Sequence, residues 1–143
     1  MSFLQRIYLI LRDGRPSKYQ EKVKQIIDIG IKINQKDVFP IWGTCLGFES
    51  LLFALSNYKL KTFHVKTKNQ SIPISWDPVN YPDSDFKKVL RKSVAEAMAS
   101  TSITYFTHQF AFDKDEIESL PEMKDVKVVA YYKKDGRKVA AAI

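Results

Sequence analysis

The first half of the chain alternates between short apolar runs and segments whose apolar residues have helical spacing. Residues 1–11 contain a β-branched and aromatic run, which predicts a strand that stops at Asp13 and Gly14. A helix is predicted to follow, because Ser17 and Gln20 have the spacing of a capping box. We expect one face of this helix to pack on a core through Tyr19, Val23, Ile26, Ile27 and Ile31.

A second strand and helix are predicted around the single cysteine. Residues 37–42 (DVFPIW) indicate a short buried strand, with Pro40 at its end or on an edge because proline cannot donate to a sheet ladder. Residues 43–47 (GTCLG) follow at once. A helix is then predicted from the spacing of Phe48, Leu51, Leu52 and Leu55. This order places Cys45 in a tight turn between a strand and a helix.

The second half predicts further strands and one more helix. Residues 60–74 indicate one or two strands, and a proline-rich loop precedes a helix capped by Asp83, Ser84 or Asp85. Residues 103–107 predict a strand that leads into His108, and residues 126–132 and 138–143 predict a hairpin around Asp135-Gly136. The apolar face of the helix that follows the proline-rich loop would comprise Phe86, Val89, Leu90, Val94, Ala97 and Met98. Alternating strands and helices favour an α/β sheet over a helical bundle.

Composition narrows the class of protein. The 143 residues are enough for one domain, and 45% hydrophobic with 27% charged residues is an ordinary globular mixture. No apolar run approaches the roughly 20 residues of a membrane-spanning helix. The net charge of +7 raises the question of anionic partners, and one cysteine excludes an intrachain disulfide.

The G-x-C-x-G pattern of residues 43–47 favours a nucleophile over a buried thiol. A side chain on a sharp turn before a helix needs small neighbours, and the helix N-terminus favours a thiolate. The amide of Leu46 could point at a developing oxyanion. Glu49 would lie one helical turn above Cys45. A lone cysteine among apolar residues is more often small core filler, but the flanking Gly43 and Gly47 shift the balance.

A longer string gives a more specific indication. Residues 39–49 (FPIWGTCLGFE) resemble the nucleophile segment of the gamma-glutamyl hydrolases, cysteine peptidases of the class I glutamine-amidotransferase-like superfamily. The helix that begins at Ser17-x-Tyr19 and the histidine segment of residues 106–110 (FTHQF) are similar to segments of that family in the same order. The resemblance implies an incomplete three-layer α/β/α sheet of flavodoxin-like type with a nucleophile elbow, and a single partial catalytic domain over residues 1–143.

The resemblance also implies the chemistry. Cys45 would attack the carbonyl of a gamma-glutamyl bond in a folyl or free poly-gamma-glutamate and form a thioester. The backbone of Leu46 would hold the oxyanion, Glu49 would be an acidic neighbour, and His108 would face the substrate. No cofactor or metal is implied. A small-molecule gamma-glutamyl substrate is the implied partner, without nucleic acid or membrane, and a homodimer remains open.

Two departures limit the implied activity. The family's general base lies in a His-Pro-Glu segment, whereas this chain has histidines only at 64 and 108. The family also has a paired glycine before the Ser-x-Tyr segment, where this chain has only Gly14. Loss of one triad member costs on the order of 10⁴ to 10⁶ in turnover. We therefore expect weak or no activity.

Two other classes of function stay open. One is a pseudoenzyme that binds a partner or a gamma-glutamyl ligand without turnover. The other is a polyanion-binding module, suggested by basic residues such as Lys87, Lys88, Arg91 and Lys92, which as a solvated helix face would have an ordinary explanation. The family resemblance implies a lysosomal, vacuolar or secreted protein, although no signal segment is visible in this sequence.

Overall fold

The computed structural model describes residues 11–12, 15–65, 67 and 69–143. The chain divides between Leu60 and Lys61 into two compact units. Helices and small antiparallel sheets make the protein a mixture of α and β structure, which confirms the α/β class in its general form. The three-layer sheet and the single partial domain stay predictions.

The first unit is mainly a pair of helices. β1 (Leu11–Arg12) and β2 (Arg15–Pro16) form a short antiparallel pair, while residues 1–10 and the expected stop at Asp13 and Gly14 lie outside the described residues. The predicted helix after Ser17 is confirmed, because Ser17 Oγ accepts a hydrogen bond from the amide of Gln20 at 3.2 Å. The elements are β1 (Leu11–Arg12), β2 (Arg15–Pro16), α1 (Lys18–Asn34) and α2 (Leu46–Leu55).

The buried face of α1 differs from the prediction. Ile27 is buried, but Tyr19, Ile26 and Ile31 expose 43%, 56% and 47% of their surface. The buried positions are Gln20, Ile27 and Gly30. A Cβ at Gly30 would lie 2.4 Å from Ile41 Cδ1, so a larger residue there would require the side chain of Ile41 to shift. Apolar periodicity indicated the helix correctly but identified the packed face only in part, through buried Ile27 and half-buried Val23.

The predicted buried strand at residues 37–42 is wrong. This segment has no sheet partner among the described residues, and Val38 and Trp42 are 86% and 79% exposed. The side chain of Asn34 holds it instead, because Asn34 Nδ2 donates to Phe39 O at 2.8 Å and Oδ1 accepts from Phe39 N at 2.6 Å. One side-chain amide thus supplies the two bonds that a neighbouring strand would otherwise make.

The second unit combines short strands with short helices. β3 (Phe63–His64) pairs with β7 (Phe110–Ala111), and β4 (Gln70–Ser71) pairs with β6 (Tyr105–Phe106). A three-stranded sheet consists of β5 (Ser75–Trp76), β8 (Ala130–Lys134) and β9 (Arg137–Ala142), and all of these pairings are antiparallel. The prediction of one or two strands within residues 60–74 and that of a strand before His108 are confirmed, though each strand is only two residues long. The elements are β3 (Phe63–His64), β4 (Gln70–Ser71), β5 (Ser75–Trp76), α3 (Asp85–Val89), α4 (Lys92–Ser100), β6 (Tyr105–Phe106), β7 (Phe110–Ala111), α5 (Lys114–Ser119), a 3-10 turn (Pro121–Met123), β8 (Ala130–Lys134) and β9 (Arg137–Ala142).

The C-terminal hairpin follows its local signal. Asp135 and Gly136 have φ values of 49° and 75°, the positive values that a two-residue turn between β8 and β9 requires. The single helix predicted over residues 86–98 is wrong, because Leu90 is extended and separates α3 from α4. Of its predicted apolar face, Val89 and Val94 are 77% and 43% exposed.

A buried ion cluster joins the loop after β5 to α5 in the second unit. Lys114 Nζ lies 3.2 Å from Asp77 Oδ2 and also bonds the carboxylate of Glu118, and Asp77 Oδ1 accepts from the amides of Val79 and Asn80. Burial alone would raise the pKa of Asp77, but these amide and ammonium donors outweigh it and lower that pKa. Burial likewise opposes the charge of Lys114, yet its two carboxylates raise its pKa. The cluster therefore favours the charged forms.

No helix within the described part of the chain is long and apolar enough to cross a membrane.

Candidate active site

Cys45 lies immediately before α2, and its backbone conformation is strained. It is the N-cap residue, with φ 55° and ψ −116°, a combination that residues with a Cβ rarely adopt and that costs about 1–3 kcal/mol. The residue is exposed. The predicted turn and helix are thus present, although the strand before them is not. Exposure and strain together are typical of a presented side chain rather than of core filler.

Only one of the two glycines that flank Cys45 is required by its packing. A Cβ at Gly43 would lie 2.4 Å from Leu51 Cδ1 and 2.7 Å from the carbonyl of Gly47, both closer than atoms can pack. A Cβ at Gly47 would meet nothing within 4 Å. The prediction that a side chain would clash at both positions is therefore confirmed for Gly43 and wrong for Gly47. Gly43 allows the turn to fold back against the first turn of α2.

The first turn of α2 gathers three of the predicted site residues. Leu46 is the first residue of the helix, so its amide is one of the four that have no acceptor within the helix. Glu49 is buried, and its amide donates to Cys45 O at 3.1 Å. Cys45, Leu46 and Glu49 thus lie in one turn of backbone. Their catalytic roles stay predictions.

A polar contact between α1 and α2 was not indicated by the sequence. Gln20 Nε2 donates to Ser50 O at 2.7 Å and so ties α1 to α2 one residue beyond Glu49. Both Gln20 and Ser50 are buried, and neither Gln20 Oε1 nor Ser50 Oγ has a hydrogen-bond partner among the described residues. The residues are 30 positions apart, so no local pattern could have indicated the pair.

Trp42 lies three residues before Cys45 and bonds a residue of the same turn. Its indole Nε1 donates to Thr44 Oγ1 at 2.8 Å, while 79% of its surface remains exposed. The exposed indole next to Cys45 gives the turn an apolar neighbour that a ligand could contact.

His108 belongs to the second unit and has a partner at each ring nitrogen. Nδ1 lies 2.7 Å from Phe110 O, and Nε2 lies 3.1 Å from Tyr132 Oη. Tyr132 Oη is also 3.4 Å from Thr67 Oγ1, whose hydroxyl donates to His108 O at 3.0 Å. Burial raises the pKa of Tyr132 to about 12, so its phenol is neutral at physiological pH. Neither Thr67 nor Tyr132 was singled out from the sequence, because each is more than 20 residues from His108.

The core of the second unit lies around these residues. Tyr132 packs with Val65, Ala111 and Val139, all of them buried. The ring of Phe106 contacts both Tyr132 and His108, with centroid separations of 4.5 Å and 5.5 Å. His64 is exposed, and its ring meets the ring of Phe110 edge to face at a centroid separation of 5.5 Å.

Three of the four basic residues that suggested a polyanion partner, Lys87, Lys88 and Lys92, have local contacts. Lys88 Nζ bonds Asp85 at 2.7 Å, Lys92 lies 3.7 Å from Glu96, and Lys87 stands 5.6 Å over the ring of Tyr81. These contacts fit a solvated helix surface, and the polyanion-binding class itself stays untested. Across residues 15–65, 67 and 69–143 there is no group of three or more histidine, cysteine or acidic residues placed to hold a metal ion.

Three curated relatives are similar to the chain. The gamma-glutamyl hydrolase of Bos taurus is 43% identical over 47 residues, which are 32% of this chain and 15% of that protein. Gamma-glutamyl hydrolase B of Dictyostelium discoideum is 26% identical over 107 residues, 71% of this chain and 29% of the relative. The gamma-glutamyl hydrolase of Rattus norvegicus is 26% identical over 101 residues, 71% and 31% respectively. No family model matches the chain.

These similarities indicate that the chain is related to hydrolases. The chain spans less than a third of the length of each of these relatives.

Proposed function

We propose that the chain carries the nucleophile segment of a cysteine-type gamma-glutamyl hydrolase, with Cys45 as the nucleophile. The observation that supports this most is the backbone of Cys45, exposed and strained at the first turn of a helix. The named relatives support the same reaction class. The class I glutamine-amidotransferase-like fold and a lysosomal, vacuolar or secreted location belong to the same proposal.

The proposed reaction follows from the turn. The sulfur of Cys45 attacks the carbonyl carbon of a gamma-glutamyl amide, and the carbonyl oxygen becomes an oxyanion near the amide of Leu46. The carbon–nitrogen bond then breaks, the amine leaves with a proton, and a thioester remains. Water hydrolyses the thioester and regenerates the thiol. Glu49 would act as the acidic neighbour of the sulfur.

Proton transfer is the weak step of this proposal. An efficient cysteine hydrolase needs a base that takes the thiol proton and returns it to the leaving amine. The chain has only His64 and His108, and both ring nitrogens of His108 already have partners. We therefore propose weak turnover at most, with acylation of Cys45 more accessible than repeated cycles.

The test compares the purified chain with Cys45→Ala on a gamma-glutamyl-linked glutamate oligomer. Released glutamate measures turnover, and intact mass measures a glutamyl adduct on the protein. We expect an adduct on the parent chain that is absent from Cys45→Ala, with slow glutamate release. No adduct, and release equal to that of the variant, would contradict the nucleophile role. Rapid turnover would contradict the claim that the chain lacks an efficient base.

Ligand binding without turnover is the second candidate. The pairing of both His108 nitrogens favours it, because a histidine held in this way is poorly placed to shuttle protons. The same oligomer would then raise the melting temperature of the parent chain and of Cys45→Ala equally, with neither adduct nor product. A basic polyanion-binding module would instead show binding to duplex DNA that weakens steeply with salt.

A further inference from the structure

His108 has its tautomer determined by its neighbours. Phe110 O, 2.7 Å from Nδ1, is a carbonyl and can only accept, so Nδ1 carries the hydrogen of the neutral ring. Nε2 is then an acceptor, and Tyr132 Oη at 3.1 Å donates to it. The ring is thus held with its basic nitrogen facing the hydroxyl of a buried tyrosine.

Tyr132 has a second acceptor within reach. Thr67 Oγ1 lies 3.4 Å from Tyr132 Oη and gives its own hydrogen to His108 O, which leaves its lone pairs available. The tyrosine hydroxyl has one hydrogen, so it can serve Nε2 or Thr67 but not both. Tyr132 and Thr67 are 1% and 0% exposed, so the hydroxyl cannot turn to solvent instead.

We propose that Tyr132 is a positioning residue for His108: its hydroxyl holds Nε2 when no ligand is bound and turns to Thr67 when a ligand takes that nitrogen. Only the hydrogen has to move, because the rings are already packed against Phe106 at 4.5 Å and 5.5 Å. No buried polar atom loses its partner in the exchange, which removes the usual cost of displacing a buried hydrogen bond.

The chemistry of the exchange limits the ligand group. Nε2 carries no hydrogen in the neutral ring, so the group that replaces the tyrosine hydroxyl must be a donor. The α-ammonium of a gamma-glutamyl residue is such a group. This part of the inference rests on the proposed function, in which His108 faces a gamma-glutamyl ligand.

Acylation of histidine by diethyl pyrocarbonate tests the positioning role without any assumption about function. The chain has only His64 and His108, so peptide mass spectrometry separates the two rates and exposed His64 provides an internal reference. Tyr132→Phe keeps the buried ring and removes the hydroxyl, and we expect His108 to react about 2- to 10-fold faster, the factor of one net hydrogen bond. Tyr131→Phe, the same change one position away on β8, should leave the rate unchanged. Equal rates in Tyr132→Phe and the parent chain would overturn the positioning role.

Binding of gamma-glutamylglutamate tests the exchange. Cys45→Ala serves as the background so that the ligand is not consumed. Thr67→Val removes the second acceptor and should weaken binding by about 2- to 10-fold, whereas Tyr132→Phe removes the competing hydroxyl and should tighten it. Thr67→Ser keeps the acceptor and is the matched control. Changes in the same direction for Thr67→Val and Tyr132→Phe would overturn the exchange. Absence of binding to the background chain would overturn the exchange together with the proposed ligand, while the acylation rates still decide the positioning role.

Discussion

The two units differ in how far their reactive side chains are exposed. The first unit exposes the thiol of Cys45, whereas the polar clusters of the second unit are buried. Cys45 is exposed on strained backbone, with Gly43 packed against the next turn of helix. Lys114 and Tyr132 are buried, and each is bonded to polar groups from distant parts of the unit. The contrast predicts that substitutions in the first region change thiol reactivity more than stability. Substitutions in the second region should reduce the free energy of unfolding.

The largest expected effect is on the buried ion cluster. Lys114→Met removes the ammonium and leaves Asp77 and Glu118 without their counter-charge, which should cost about 3–5 kcal/mol of unfolding free energy. Lys138→Met is the matched control, because Lys138 bonds Asp115 at the surface and should cost about 1 kcal/mol or less. Urea denaturation measures both. Equal losses would show that the second unit does not depend on its buried charges.

Alkaline pH should reveal the burial of Tyr132. A phenol whose pKa rises from 10.0 to about 12 in the folded protein holds its proton more tightly than in the unfolded chain. Its contribution is complete below pH 10 and is lost as the pH rises to about 12, which amounts to about 3 kcal/mol. Denaturation of the parent chain should therefore show a steeper alkaline loss than that of Tyr132→Phe. Parallel curves for the two proteins would contradict the burial of this hydroxyl.

A pair of glycine substitutions tests the Cys45 turn. Gly43→Ala places a Cβ 2.4 Å from Leu51 Cδ1 and should cost about 1–3 kcal/mol while changing the alkylation rate of Cys45. Gly47→Ala meets no atom within 4 Å and lies in α2, so it should be neutral or stabilise by up to about 1 kcal/mol. Thermal melts and iodoacetamide labelling report the two properties. A larger loss for Gly47→Ala would contradict the described packing.

The smallest expected effect is at the start of α1. Ser17→Ala removes the oxygen that accepts from the amide of Gln20, and loss of such a cap costs about 1 kcal/mol. Ser17→Asp keeps an acceptor and should retain most of the stability. The alkylation rate of Cys45 should be the same in both variants. A change in that rate would show that the helix cap and the cysteine turn are coupled.

Features with local causes followed the sequence closely. The cap at Ser17 and the turn at Asp135-Gly136 are made by atoms only a few residues apart, and both are present. The turn and helix at Cys45 belong to the same class. The broken helix near Leu90 shows the limit of this reasoning, because apolar spacing continued across a residue whose backbone is extended.

The sequence by itself determined where α1 and α2 begin and where the Asp135-Gly136 turn lies, and it singled out Cys45 as an exposed thiol. The tertiary structure alone decided that Ile26 faces solvent, that Gly43 rather than Gly47 is sterically required, and that Tyr132 and Thr67 stand behind His108. The physical reason is how far apart along the sequence the interacting atoms lie. Caps and turns depend on bonds within a few residues, whereas burial and paired side chains depend on which distant elements come together.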